Sequence, residues 1–232
     1  MEWFAEAGIS DITSDTRALT RPKTARYGCT YTTLSEIQSL PELREAISKV
    51  DISLKNCALN MVFGVGNEKA DLLLLGEAPG AEEDKQGIPF VGQSGQLLDK
   101  ILTAVGLDRS MVYITNILPW RPPGNRTPTS HEIELFRPYV LKHIALVNPR
   151  VVMCLGGTAA KALLCTSQGI MQLRGKWTTI DGIGAKILST FHPAYLLRSP
   201  SQKREVWVDF LTAMDMMSGQ NSSRSHFSLE TG

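Results

Sequence analysis

Residues 71–102 read DLLLLGEAPGAEEDKQGIPFVGQSGQLLDKIL, and the fold turns on how the first five of them are read. Asp71 leads into four leucines, a run too short for a helix and without polar alternation, so the segment is expected to be a strand covered on both faces. It discharges at Gly76 into glycine, proline and the carboxylates Glu77, Glu82, Glu83 and Asp84. After Ser94 the apolar residues Leu97, Leu98, Ile101, Leu102 and Val105 make a helical stripe, with Gly106 in a terminating position.

Three further runs have the same character: VYITNIL from Val112, VVMCLGG from Val151 and KILSTF from Lys186. Helical signals separate them. Thr129 and Glu132 form a capping box ahead of Ile133, Phe136, Val140 and Ile144. Ser199 and Pro200 read as cap and first residue of a last helix that buries Val206, Phe210 and Met214. Buried strands alternating with helices predict an α/β fold, a four-stranded parallel sheet with helices on both faces.

At 232 residues, 43% of them apolar, the chain can enclose one sizeable core, and one domain over residues 34–217 is expected. Within it, helical spacing runs from Leu34 to Val50, with Pro41 suited to a first turn after Ser39. Residues 1–33 read as a flexible arm and residues 218–232 as a polar tail. Arg17, Arg21, Lys23 and Arg26 in the arm suit either phosphate contact or plain solvation. Lys and Arg total 24 against 23 Asp and Glu, so any surface for a polyanion must be local. No apolar run reaches the ~20 residues that cross a bilayer and no secretory leader opens the chain, so a cytoplasmic protein is expected. The four cysteines, Cys29, Cys57, Cys154 and Cys165, include no CxxC and read as buried free thiols.

In a parallel sheet ligands gather beyond the carboxyl ends of the strands, where GEAPGAEED, NILPWRPPGNRTP, GGTAA and HPAYLLR all fall. GEAPG puts glutamate and proline where a dinucleotide fingerprint needs glycine, which argues against a Rossmann cofactor. Glu77 just past a buried strand is either a helix cap or a carboxylate with a task. Phe90, between proline and glycines, suits either a stacking platform or a core position. The Asn116 amide can read a pyrimidine edge or tie down a loop. RPPGNRTP, with Arg121, Asn125 and Arg126, suits a phosphate backbone or a rigid turn. His192 is structural or functional on equal terms.

Together these motifs resemble the family 4 uracil-DNA glycosylases over roughly residues 56–211. The resemblance implies an α/β/α sandwich with a short parallel sheet and hydrolysis of the bond between uracil and deoxyribose in DNA. It implies Glu77 and Glu83 as carboxylates around the attacking water, with Asn125 supporting it, and His192 bonding the base at O2. Phe90 would stack on the flipped uracil, with Asn116 and Ala78 completing the base site. For DNA, the reading adds Arg121, Arg126 and Arg198, the backbone of Gly156, Gly157 and Thr158 at a helix start, and Tyr195 with Leu196 as a wedge.

Many relatives hold a four-iron cluster on four cysteines, but here Trp120 and Phe136 stand at two of those places and only Cys57 remains near the first pair. No iron–sulfur cluster, and no other cofactor, is therefore expected. A covalent outcome through a histidine in an inserted basic loop is excluded by RPPGNRTPT, which has neither. The expected partner is uracil-containing DNA, met by a monomer. Two other classes of function fit less: a non-catalytic DNA-binding or replication-accessory module, which leaves Glu77 and His192 without a purpose, and a nucleoside hydrolase, which leaves the arginines unused.

Overall fold

The computed structural model describes residues 31–219. The helices are α1 (Tyr31–Glu36), α2 (Leu40–Ser48), α3 (Ala81–Gln86), α4 (Gln93–Ala104), α5 (Ser130–Val147), α6 (Gly157–Leu164), α7 (Ile170–Leu173), α8 (Pro193–Arg198) and α9 (Lys203–Ser218). The strands are β1 (Val65–Gly66), β2 (Leu72–Gly76), β3 (Tyr113–Asn116), β4 (Val151–Leu155), β5 (Trp177–Thr178) and β6 (Lys186–Thr190). They form one sheet in the order β1-β3-β2-β4-β6-β5. The four inner strands are parallel, as the four apolar runs require, and β1 and β5 close the edges antiparallel.

The leucines of β2 explain the layering. Successive strand side chains point to opposite faces. Leu73 and Leu75 join a core with α2, α5 and α6, while Leu72 and Leu74 join a second core with α4 and α9. All four are 2% exposed or less, and each such leucine stabilises the fold by roughly 1.5–3 kcal/mol. In sequence order the chain leaves β2 for β3 on one side and reaches β4 on the other, so a crevice opens where β2, β3, β4 and β6 end.

Local chemistry sets most boundaries. Thr129 Oγ1 accepts from Glu132 N at 3.2 Å and Glu132 Oε2 accepts from Thr129 N at 2.8 Å, the reciprocal cap expected for α5. The helical spacing after Leu34 resolves into two helices, because Ser39 caps α2 through Glu42 N. Ser199 makes no side-chain capping bond and precedes only a 3-10 turn over Pro200–Gln202, and α9 starts at Lys203. The two-residue edge strands were not expected, being too short to show alternation.

The basic residues Arg17 to Arg26, Cys29, and the tail beyond Gly219 lie outside the described residues. α1 begins at Tyr31, inside the span expected to be arm. The thiol expectation holds for Cys154, whose burial pushes its pKa up to about 12, but Cys57 and Cys165 are exposed. Among the described residues no helix is long and apolar enough to cross a membrane.

Candidate active site

The crevice is a cleft of about 520 Å³ bordered by Glu77, Ala78, Gly80, Glu83, Phe90, Asn116, Asn125, Arg126, His192, Tyr195 and Arg198, among others. Three of the four expected segments therefore meet on one cavity. The fourth, around Gly156, lies behind His192 rather than on the cleft wall.

Glu77 follows β2 directly, and the ladder continues past the strand to hold it: Ile117 N donates to Gly76 O at 2.9 Å and Leu118 N to Glu77 O at 3.1 Å. The side chain is half-buried on the cleft and, among the described residues, its carboxylate takes part in no hydrogen bond or ion pair. Glu83 is different. Its Oε1 accepts from Val91 N and Gly92 N at 2.9 and 2.8 Å, and its Oε2 from Gly80 N at 3.1 Å. Charge-assisted bonds to backbone amides hold that carboxylate in place, so it braces two loops.

Phe90 is buried and has φ 55°, the left-handed region that costs a non-glycine residue roughly 1–2 kcal/mol. Its ring lies 5.6 Å from the His192 ring, tilted by 31°. Gly76 makes the packing beneath it possible: a β-carbon there would stand 2.7 Å from the Phe90 ring and 2.3 Å from Asn116 Oδ1. Asn116, at the end of β3, is buried, and among the described residues its Oδ1 accepts no hydrogen bond. A buried acceptor without a donor costs about 1–3 kcal/mol, which makes the position costly for folding alone.

His192 caps α8, its Nδ1 accepting from Ala194 N at 3.1 Å. That bond needs an unprotonated Nδ1, so the neutral ring carries its hydrogen on Nε2. Burial, and then the charge of Arg198, lower its pKa to about 4 against an opposing pull from Glu83, so the ring is a neutral donor at physiological pH. Gly156 permits the ring's placement: at φ 99° it has no β-carbon, and one would lie 3.0 Å from His192 Cβ.

The loop after β3 is built tightly. Arg121 Nε donates to Asn125 Oδ1 at 2.7 Å, and its Nη1 lies 4.0 Å from the buried Asp84 carboxylate. Asp84 Oδ1 in turn accepts from Leu59 N and Asn60 N, tying the chain ahead of β1 to α3. Arg126 closes both arms of its guanidinium on Glu132 at 2.8 and 2.6 Å, and this pair holds the Glu132 carboxyl down at about 2.

Several expectations need correcting. Leu196 is 0% exposed, packed into the core beneath α8, and has no surface with which to enter a base stack. Its neighbour Leu197 is 47% exposed, because successive helical positions point about 100° apart. The Gly156 amide donates to Thr190 O at 2.9 Å and has nothing left for a phosphate, which leaves Gly157 and Thr158 at the start of α6. Tyr195 borders the cleft half-buried, its ring 5.0 Å from Phe191, and Arg198 is exposed at the rim. Arg121 supports the loop without lining the cleft. Ser94, Pro122 and Ala194 border the cleft and had not been singled out for it; Ser94, in the first turn of α4 after the Phe90 loop, carried the clearest signal.

Trp120 and Phe136 are both buried, with ring centroids 5.7 Å apart, and Lys55 Nζ sits 5.1 Å over the Trp120 ring. Neither aromatic can ligate iron. Among the described residues no group of His, Cys, Asp and Glu is arranged to hold a metal ion.

Residues 63–211 match the family model described as the uracil DNA glycosylase superfamily. A protein named type-4 uracil-DNA glycosylase from Archaeoglobus fulgidus is 39% identical over 181 residues, covering 75% of this chain and 91% of the relative. One of the same name from Pyrobaculum aerophilum is 38% identical over 177 residues, 73% and 90% of the two chains. A third, from Thermotoga maritima, is 40% identical over 169 residues, 70% and 87%.

Proposed function

We propose that this chain, which belongs to the uracil DNA glycosylase superfamily and within it to the type-4 branch, hydrolyses the bond between uracil and deoxyribose in DNA, leaving an abasic site and free uracil. The observation that carries the reading is a single cleft joining a carboxylate and a buried Asn acceptor that have no partner among the described residues, an aromatic ring and a neutral histidine.

A base inside a duplex is out of reach, so the nucleotide leaves the stack at a cost of a few kcal/mol. Phe90 offsets part of that cost by stacking. Asn116 reads the edge: its Oδ1 accepts from N3–H of uracil and its amide donates to O4, whereas cytosine offers an acceptor at N3 and a donor at the exocyclic position. Ala78, next to Glu77, forms part of the wall against the base.

As the bond between C1′ and N1 lengthens, its electron pair moves onto the uracil ring and positive charge grows on the sugar. The neutral Nε2–H of His192 donates to O2, where the negative charge collects, without having first to give up an ionised state. Glu77 faces the sugar, stabilises its charge and takes a proton from the water that adds to C1′; uracil departs as the anion, and that proton passes from Glu77 through solvent to its N1. Asn125 helps orient that water, and Glu83 acts through the loops it braces and through its charge near His192. Arg198 and the amides of Gly157 and Thr158 hold the backbone on either side, Arg121 and Arg126 act by fixing the loop between them, and Tyr195 supports the strand beside the emptied position.

The Trp120–Phe136 pair, with Lys55 over the Trp120 ring, fills with apolar side chains the places at which the family resemblance implies cluster cysteines. Residues 34–217 act as the catalytic domain.

The test is direct. Purified protein incubated with uracil-containing and normal single-stranded oligonucleotides, followed by alkali, should cut only the first. Glu77→Gln should lower the rate by about 10²–10⁴-fold, the range of general-base catalysis, with the fold intact by circular dichroism. Equal cutting by the variant would remove Glu77 from the mechanism; binding of DNA without cutting by the wild type would favour the accessory-module reading.

A further inference from the structure

We infer that Arg109 is a positioning residue for base recognition, holding Phe90 in the backbone conformation that presents its ring to the cleft. This rests on Phe90 being the stacking platform, as proposed above. Arg109 lies in the turn between α4 and β3, outside every rim motif, and does not line the cleft. It can act on a base only through Phe90.

The reason begins with the φ of 55° at Phe90. Phenylalanine has no local hydrogen bond or missing β-carbon to favour the left-handed region, so the conformation must be imposed from outside. Two opposite charges impose it from the two sides of the residue. Arg109 Nη1 donates to Pro89 O at 3.0 Å and Nη2 donates to Phe90 O. Immediately downstream, the amides of Val91 and Gly92 donate to Glu83. The cation therefore takes two consecutive carbonyls and the anion the next two N–H groups.

A guanidinium suits this work because its rigid planar fork fixes two donors side by side, which an ammonium on a flexible stem does not. Asp99 fixes the fork in turn, with Oδ1 at 2.7 Å from Nε and Oδ2 at 3.4 Å from Nη2. Gly95 clears the space, since a β-carbon there would lie 1.8 Å from Phe90 O. With Gly76 below the ring, every side of Phe90 is set by a residue chosen for reach or for absence of bulk.

The experiment is a double-mutant cycle on Arg109→Ala and Phe90→Leu, measured on a single-stranded uracil oligonucleotide, with inhibition by free uracil as a second readout. Misplacing the platform by about 1 Å should lower kcat roughly 10- to 100-fold and weaken uracil inhibition in parallel, while KM for the oligonucleotide stays within about twofold. In the Phe90→Leu background Arg109→Ala should cost no more than about twofold, because residues acting as one unit are not additive. Equal cost in both backgrounds would overturn the proposal. Arg109→Lys, which can still reach one carbonyl, should fall between; it serves alone if the alanine variant does not fold, and a wild-type rate from it would equally overturn the proposal. Amide exchange at Val91 and Gly92 should quicken in Arg109→Lys, and unchanged exchange would count against the clamp. That last measurement needs no uracil chemistry, so it decides the clamp even if the wild type released no base and the glycosylase reading itself failed.

Discussion

His192 and His143 are both held neutral by burial, yet one borders the cleft and the other is sealed on the inner face of α5. His192 has its pKa lowered to about 4, and its Nδ1 accepts from Ala194 N. His143, lowered to about 3, lies 4.5 Å from Phe63 in a ring stack and turns Nε2 to Tyr113 OH at 2.9 Å. Its edge contact with the Tyr113 ring, at 5.2 Å, completes an aromatic cage. A depressed pKa marks burial at both sites, so it does not separate them. What separates them is position: His192 lines the cleft, whereas His143 hydrogen-bonds a buried tyrosine hydroxyl away from it.

That comparison breaks most visibly at His192. Removing an oxyanion donor typically costs about 10²–10³-fold in kcat, and His192→Leu should lose that much uracil release, measured at saturating substrate, while melting within a few degrees of wild type. His143→Phe should do the reverse. It strands the buried Tyr113 hydroxyl, at a cost of about 1–3 kcal/mol in urea denaturation, and leaves kcat within about threefold. A folded His143→Phe protein without activity would mean that the two sites are coupled.

Gly76→Ala sharpens the same contrast from the cleft side. The added methyl collides with Asn116 Oδ1 and the Phe90 ring, so free uracil should inhibit about tenfold more weakly, a loss of about 1.4 kcal/mol in affinity. The smallest effect is in pH dependence. Both folded histidines titrate well below their unfolded value of 6.5. The unfolded chain therefore takes up protons first as the pH falls. The stabilisation is fully present above about pH 6.5 and is lost progressively as the pH drops toward 4 and then 3. Denaturation midpoints from pH 7 to 4.5 should decline, and His143→Phe should flatten the decline. Excision by the wild type should show no inflection near 6.5 from His192.

The sequence alone carried the four parallel strands, because continuous apolar runs between helical stripes admit little else, and it carried the Thr129–Glu132 cap, because that chemistry is local. It also placed Glu77, Asn116 and His192 at strand ends and Phe90 in a proline- and glycine-flanked loop, which the fold then brought to one cavity. It failed on directions that depend on neighbours far along the chain. Leu196 and Leu197 are the same residue type side by side, and only the packing of α8 decides that the first is core and the second faces water. Cys57 and Cys165 are exposed for the same reason, and β1 and β5 exist only as partners to β3 and β6.

What the order of residues determined by itself is the set of periodicities and caps, since these arise from contacts within a few positions. What only the tertiary structure decided is which polar groups remain unspent. Glu83 and Glu77 look alike in GEAPGAEED, but three amides reach Glu83 and none reaches Glu77 among the described residues. The left-handed turn at Phe90 is likewise invisible in its own residue type, because the groups that impose it come from Glu83 and Arg109, one on each side of it in the chain. A hydrogen bond saturates its donor, so the chemistry left over at a site is known only once every neighbour has been placed.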